Sequence, residues 1–179
     1  MTDFFENLPI DIAQLPSAEE NDYQQISPSY KKASLIAWGI FFFILLIGPP
    51  IIIFFIEEIK GEWLYYAASI LTALVLWALN ILWVSKAIKK KKYVLRQRDL
   101  IYTTGLLWQK KITIPFNRIQ HAEVKQGPIE RLYKLHNLNV FTAGGSSSDL
   151  SIPGLTEEKA TKLKEFILNE IENEEDGKD

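Results

Sequence analysis

Two uncharged stretches set the terms for this chain. Residues 33–56 and residues 63–85 carry no Asp, Glu, Lys or Arg, and only residues 57–62 separate them. At ~1.5 Å rise per residue, a helix over either run reaches about 35 Å, which exceeds a hydrocarbon core of roughly 30 Å. Backbone N–H and C=O groups have no water to bond in lipid, so both runs are expected to be helical. The short connection makes them a hairpin. Gly48-Pro49-Pro50 in the first run predicts a kink, because proline removes a donor and crowds the preceding turn. Asn80 in the second run is placed to bond across to the first helix.

Charge orients the hairpin. Lys31 and Lys32 precede it and Lys86, Lys89, Lys90, Lys91 and Lys92 follow it, whereas the loop Glu57-Glu58-Ile59-Lys60-Gly61-Glu62 holds a single lysine. The positive-inside rule then expects both termini in the cytoplasm, with the acidic loop outside, in a multi-pass protein of the cell membrane. Trp63, Tyr65, Tyr66 and Trp83 lie near the run ends, where interfacial aromatics belong. Ahead of the hairpin, residues 1–29 read as an acidic, flexible tail broken by Pro9, Pro16 and Pro28, with Ser29 as N-cap of the entering helix. The tail is acidic and its first apolar run starts late, so no secretory signal is expected.

The overall formal charge of −2 conceals a strong asymmetry: residues 86–134 hold thirteen Lys and Arg against three acids. A basic block beside a membrane span is a candidate surface for anionic lipid, and equally a device that only fixes topology. The chain has no cysteine, which excludes disulfides and thiolate metal sites.

Residues 93–172 have the pattern of a soluble domain. Short apolar or β-branched segments at 93–95, 100–104, 106–114, 119–124, 138–143 and 150–152 read as strands. In 106–114 one parity holds Leu106, Trp108, Ile112 and Ile114, as in a half-buried strand. Residues 129–135 read as a helical turn, and residues 144–148 as a flexible glycine–serine loop. Thr156 is a suitable N-cap, with Glu157 and Glu158 in the first turn. Ala160, Leu163, Phe166, Ile167 and Ile171 then form one helical face, and an acidic tail follows at residues 173–179. The expected fold is a two-helix transmembrane hairpin at residues 30–92, followed by a small β-barrel or curved antiparallel sheet capped by a C-terminal α-helix.

Three stretches, Arg98-Asp99-Leu100-Ile101-Tyr102-Thr103-Thr104-Gly105-Leu106-Leu107-Trp108, then Ile114-Pro115-Phe116-Asn117-Arg118-Ile119-Gln120, then Gln126-Gly127-Pro128-Ile129-Glu130-Arg131, resemble the bacterial pleckstrin-homology (PH) family. Within it, the order of hairpin and domain is similar to the YdbS-like membrane proteins, and the resemblance covers roughly residues 30–170. It implies a PH-like barrel with a C-terminal helix and does not imply an enzyme. It supplies no catalytic residues to carry over. Animal PH domains often bind phosphoinositides through basic residues of the first two strands, and Arg96-Gln97-Arg98 does not match that spacing.

No chemistry-bearing pattern stands beside this one. His121 and His136 lack the spacing of a metal pair, and the glycine–serine loop lacks the lysine and helix of a phosphate-binding loop. No cofactor is expected. Lys110, Lys111, Arg118, Lys125 and Arg131 are the candidate surface for anionic lipid headgroups or a partner, with a solvated face as the plain reading. The expected function is a membrane-anchored, non-catalytic module in a membrane complex, binding another PH-domain membrane protein, a second copy of itself or lipid headgroups, and not nucleic acid. The alternative is a subunit of a transport, export or antimicrobial-resistance system, which the kinked helix and small size motivate.

Overall fold

A computed structural model describes residues 22–143 and 149–176, with side chains to residue 172. Residues 1–21 of the flexible tail expected at 1–29, and the glycine–serine loop at 144–148, lie outside the described residues. The elements run β1 (Gln24–Gln25), α1 (Ser29–Phe55), α2 (Trp63–Lys89), β2 (Lys92–Leu95), β3 (Asp99–Thr104), β4 (Lys110–Pro115), a 3₁₀ turn (Phe116–Arg118), β5 (Ile119–Lys125), α3 (Pro128–Leu132), β6 (Leu135–Thr142), β7 (Leu150–Thr156) and α4 (Glu157–Asp176).

α1 and α2 are both long and apolar enough to cross a membrane. They pack as an antiparallel pair that buries Ala33, Phe42, Ala73 and Val84. Small side chains let two helices approach closely where no hydrophobic effect drives them together. Most of the remaining Ile, Leu, Phe and Trp side chains face outward. Pro49 and Pro50 lie inside α1, which runs on to Phe55. Two expectations change here. Ser29 is the first helical residue rather than the cap: Pro28 holds the cap position, and the Ser29 N–H donates to Ser27 Oγ at 3.3 Å. Asn80 Oδ1 is enclosed with no hydrogen-bond partner among the described residues.

The strands form two antiparallel sheets, β1-β2-β3-β4 and β5-β6-β7. Tyr93, Leu100, Tyr102 and Ile114 from the first sheet meet Ile119, Ala122, Leu138, Val140, Leu150 and Ile152 from the second. α4 covers this core with Ala160, Leu163 and Ile167, while Phe166 meets Phe116 edge-on at 5.8 Å between ring centres. The Thr156 hydroxyl accepts from the Lys159 N–H at 3.4 Å, which satisfies one free donor of the first turn. α4 continues to Asp176, so the tail expected from residue 173 is helical for part of its length.

The largest departure from the sequence reading is at β1. Gln24 and Gln25 pair with Tyr93 and Lys92, and Ile26 enters the domain core at 4% exposure. The segment before the hairpin therefore supplies the first strand of the domain after it. The hairpin is an insertion between β1 and β2, and the boundary expected between a tail ending at residue 29 and a domain starting at residue 93 does not hold. A two-residue strand has no visible alternation, so only its tertiary pairing identifies it.

Two glycines shape the sheets. Gly105 (φ +101°) opens the β3–β4 turn, where a Cβ would stand 1.9 Å from the Trp108 carbonyl oxygen. β4 therefore begins at Lys110, and residues 106–109 form a tip rather than the start of a strand. Gly154 (φ +69°) sits in β7 after Pro153, where the β6–β7 register shifts between His136 and Leu138. β7 is an edge strand, which tolerates the missing proline donor and the bulge. For this reason β7 runs to Thr156 instead of stopping at residue 152. The Gly154 N–H donates to Asn137 Oδ1 (3.2 Å), and its carbonyl accepts from the Ser27 N–H (2.8 Å). The chain entering the hairpin is thus tied to both sheets.

Candidate functional site

The place where hairpin and domain join has the most distinctive chemistry. Lys91 lies between α2 and β2 and is half-buried. Its Nζ donates to Tyr102 Oη at 3.4 Å and to Thr104 Oγ1 at 3.5 Å. Burial lowers the Lys91 pKa, since desolvation disfavours the charged form. Burial likewise raises Tyr102 to about 12. Tyr93, also raised by burial, donates its hydroxyl to Gln24 Oε1 at 3.0 Å and so clamps β1 onto β2.

On the other side of the junction, α3 stands against the start of α1. Ile129 and Glu130 line a cleft with Tyr30, Ala33, Ser34, Ala37 and Trp38. Leu132 at the end of α3 is 74% exposed. The Tyr30 ring lies directly over Gly154, where no side chain could fit.

The five basic residues picked out by sequence are all exposed, but they do not form one cluster. Lys110 and Lys111 start β4 at the end of the first sheet where the hairpin attaches; Thr104 pairs with Lys110. The Lys111 ammonium lies 5.9 Å from the centre of the Tyr23 ring. Lys125 ends β5, leads into α3, and pairs with Glu123 at 2.6 Å. That pairing, with a bond from Asn139, holds the Glu123 carboxyl below its usual range. Arg131 lies on α3 itself. Arg118 is at the opposite end of the first sheet, in the turn where the Phe116 N–H donates to the Arg98 carbonyl. Arg96 at that far end is held by Asp99, with Nε at 2.6 Å from Oδ1.

His121 stacks on Phe141 at 4.2 Å, and His136 lies on β6. Among the described residues, no group of three His, Cys, Asp or Glu is placed to hold a metal. A groove of about 300 Å³ runs between the first sheet and α4, lined by Gln24, Tyr93, Leu95, Lys159, Lys162 and Phe166. Lys162 is paired with Glu158 at 2.7 Å.

Sequence reasoning missed two contributors to the junction. The β1 segment was hidden by its length. Parity puts Trp108 on the buried face of a strand over residues 106–114, yet Trp108 is 84% exposed at a turn tip, beside Leu107 at 65%. Gly105, a residue that allows a turn, was the one available signal.

Comparison with known proteins agrees with this architecture. The chain is 25% identical over 109 residues to the UPF0699 transmembrane protein YdbS of Bacillus subtilis (strain 168), covering 59% of this chain and 67% of that one. No solved structure matches significantly. The family profile described as Bacterial PH domain matches residues 33–171, a span that takes in nearly all of the hairpin and all the strands after it. With paired apolar helices, two antiparallel sheets among the described residues and a capping C-terminal helix, this chain is a membrane protein that belongs to the bacterial PH domain family.

Proposed function

We propose that the protein crosses the cell membrane twice, with both termini and the PH domain in the cytoplasm. There it serves as a non-catalytic module that holds a partner protein or lipid headgroups at the bilayer surface, as one subunit of a membrane complex. The observation that carries this reading is the insertion of the hairpin between β1 and β2. A domain joined to its anchor through two adjacent, hydrogen-bonded strands is held at the membrane in a set orientation, as a presenting platform needs. The charge pattern supports the orientation. Seven lysines flank the domain-side ends of the helices, while the opposite loop has one, and that one is paired with Glu57.

The test is crosslinking in native membranes, with affinity purification and mass spectrometry. A reproducible membrane-protein adduct through the PH domain is the expected result. Polytopic transport proteins among the adducts would make the chain a subunit of an export system. If no adduct forms and the purified protein shows no preference for anionic over neutral lipid, the reading fails. Side of exposure is read separately by thiol labelling in intact cells, since the chain has no cysteine of its own. Glu58→Cys should react from outside and Asn117→Cys only after lysis.

A further inference from the structure

The tip between β3 and β4 is the one part of the PH domain that exposes two large apolar side chains side by side, among the described residues. Its position follows from strand register. β1 leads into α1 and β2 leaves α2, and these two strands are paired through Gln25 and Lys92. Both hairpin attachments are therefore at one end of the first sheet. Lys92 pairs in turn with Thr103, and Lys91 bonds to Thr104, so β3 returns to that same end before turning at Gly105. Residues 105–109 form the turn beyond the last β3–β4 pair, Thr104 with Lys110, so Leu107 and Trp108 stand at the end of the sheet where α2 hands over to β2.

We infer that this tip, led by Leu107 and Trp108, inserts into the headgroup–acyl boundary of the bilayer beside the hairpin, as a third membrane contact of the chain. The inference rests on the reading of α1 and α2 as membrane spans. Tryptophan suits that depth, with an apolar body and a polar N–H. Lys110, at the base of the tip, is exposed and placed to reach the phosphates while its stem lies along the apolar layer. On the second sheet, α3 stands against α1 from Tyr30 to Trp38, which places exposed Leu132 at the same end of the domain. A water-facing role for the tip would leave Leu107 and Trp108 hydrated immediately beside an apolar medium.

The native chain lacks cysteine, which allows single-site labelling of the full-length protein in phosphatidylglycerol–phosphatidylcholine vesicles. An environment-sensitive fluorophore is attached at Leu107→Cys, at Asn117→Cys on the far end, and at Val75→Cys within α2. The expected result at residue 107 is blue-shifted emission, quenching by lipid spin-labelled near the headgroup, and several-fold weaker quenching by aqueous iodide than at residue 117. At residue 75, quenching should come from deep acyl spin labels. If residue 75 behaves so but residue 107 is as open to iodide as residue 117, the tip inference is overturned and the anchor stands. Shielding at residue 107 from both iodide and lipid labels would place protein against the tip and also overturn it. Iodide access at residue 75 would sink the membrane reading itself.

Discussion

Ile26→Ala tests whether the segment before the hairpin belongs to the domain after it. Ile26 is 4% exposed and lies in the same cluster as Tyr93, Leu155 and Ala160. The change removes three carbons, worth ~2.5 kcal/mol of transfer free energy at ~0.8 kcal/mol each. Incomplete collapse of the cavity adds to this, and the short edge strand relaxes more than a central one, so the expected loss is about 3 kcal/mol. With a urea dependence of roughly 1.5 kcal/mol per molar for a domain of this size, the midpoint falls by about 2 M. The assay is urea unfolding in mild detergent, followed by the near-ultraviolet circular dichroism of buried Tyr93 and Tyr102. Gln25→Ala, at the preceding residue in β1 and with an exposed side chain, should change stability by less than about 0.5 kcal/mol. If the two variants unfold at the same urea concentration, β1 is not part of the cooperative unit and the inserted-hairpin architecture is wrong.

Gly154→Ala should cost about 3 kcal/mol in the same assay, roughly 1 from the left-handed backbone and the rest from a Cβ placed 2.6 Å from Tyr30 Cγ, an unyielding ring carbon. In a Tyr30→Ala background only the backbone part should remain, so a double-mutant cycle separates the two. Tyr102, raised to about 12, keeps its proton in the fold above pH 10 while the unfolded chain loses it. Its stability contribution is therefore complete below pH 10 and is lost as pH rises towards 12, which ultraviolet titration of wild type against Tyr102→Phe will show. Asp149 accepts from the Thr142 hydroxyl (2.6 Å) and N–H (2.9 Å), and both bonds depress its pKa. Its contribution is present above the ordinary carboxylate value of about 4 and is lost as pH falls through the lowered one, so Asp149→Asn should flatten that part of the acid-unfolding curve.

The hairpin was legible because its signal is long: two apolar runs with lysines at their outer ends leave few alternatives. The helical spacing of Ala160, Leu163 and Ile167 was legible for a similar reason, since it buries one face repeatedly. What failed were features decided by single residues or distant partners. Parity placed Trp108 beside Ile112 and Ile114, but Gly105 bends the chain before the parity can apply. Pro153-Gly154 looked like an end to β7, yet the edge position and the Asn137 side chain absorb both. The basic residues looked like one face because they are close in sequence. Strand direction sends Arg118 to one end of the sheet and Lys110 to the other.

That separation bears on where a partner can dock. A domain tethered by one flexible linker samples many orientations, and any face can meet the membrane. Here two chain connections enter through paired strands, Tyr30 is seated on Gly154, and Lys91 is bonded into β3, so rotation of the domain against the hairpin would break several contacts at once. In the orientation we propose, the junction end faces lipid, and Lys110, Lys111 and Arg131 lie within reach of anionic headgroups, each worth about 1 kcal/mol there. The far end carries Arg98 and Arg118, both exposed and both about a strand length from the junction end. Charge at that end does little for lipid binding, because the surface potential decays within roughly 10 Å. Reversing Lys110 and Lys111 together should therefore weaken anionic-lipid preference in vesicles, while reversing Arg98 and Arg118 should leave it unchanged and remove protein crosslinks instead. Equal loss of lipid preference in both double variants would mean that the domain lies on its side, contrary to the orientation that the inserted hairpin imposes.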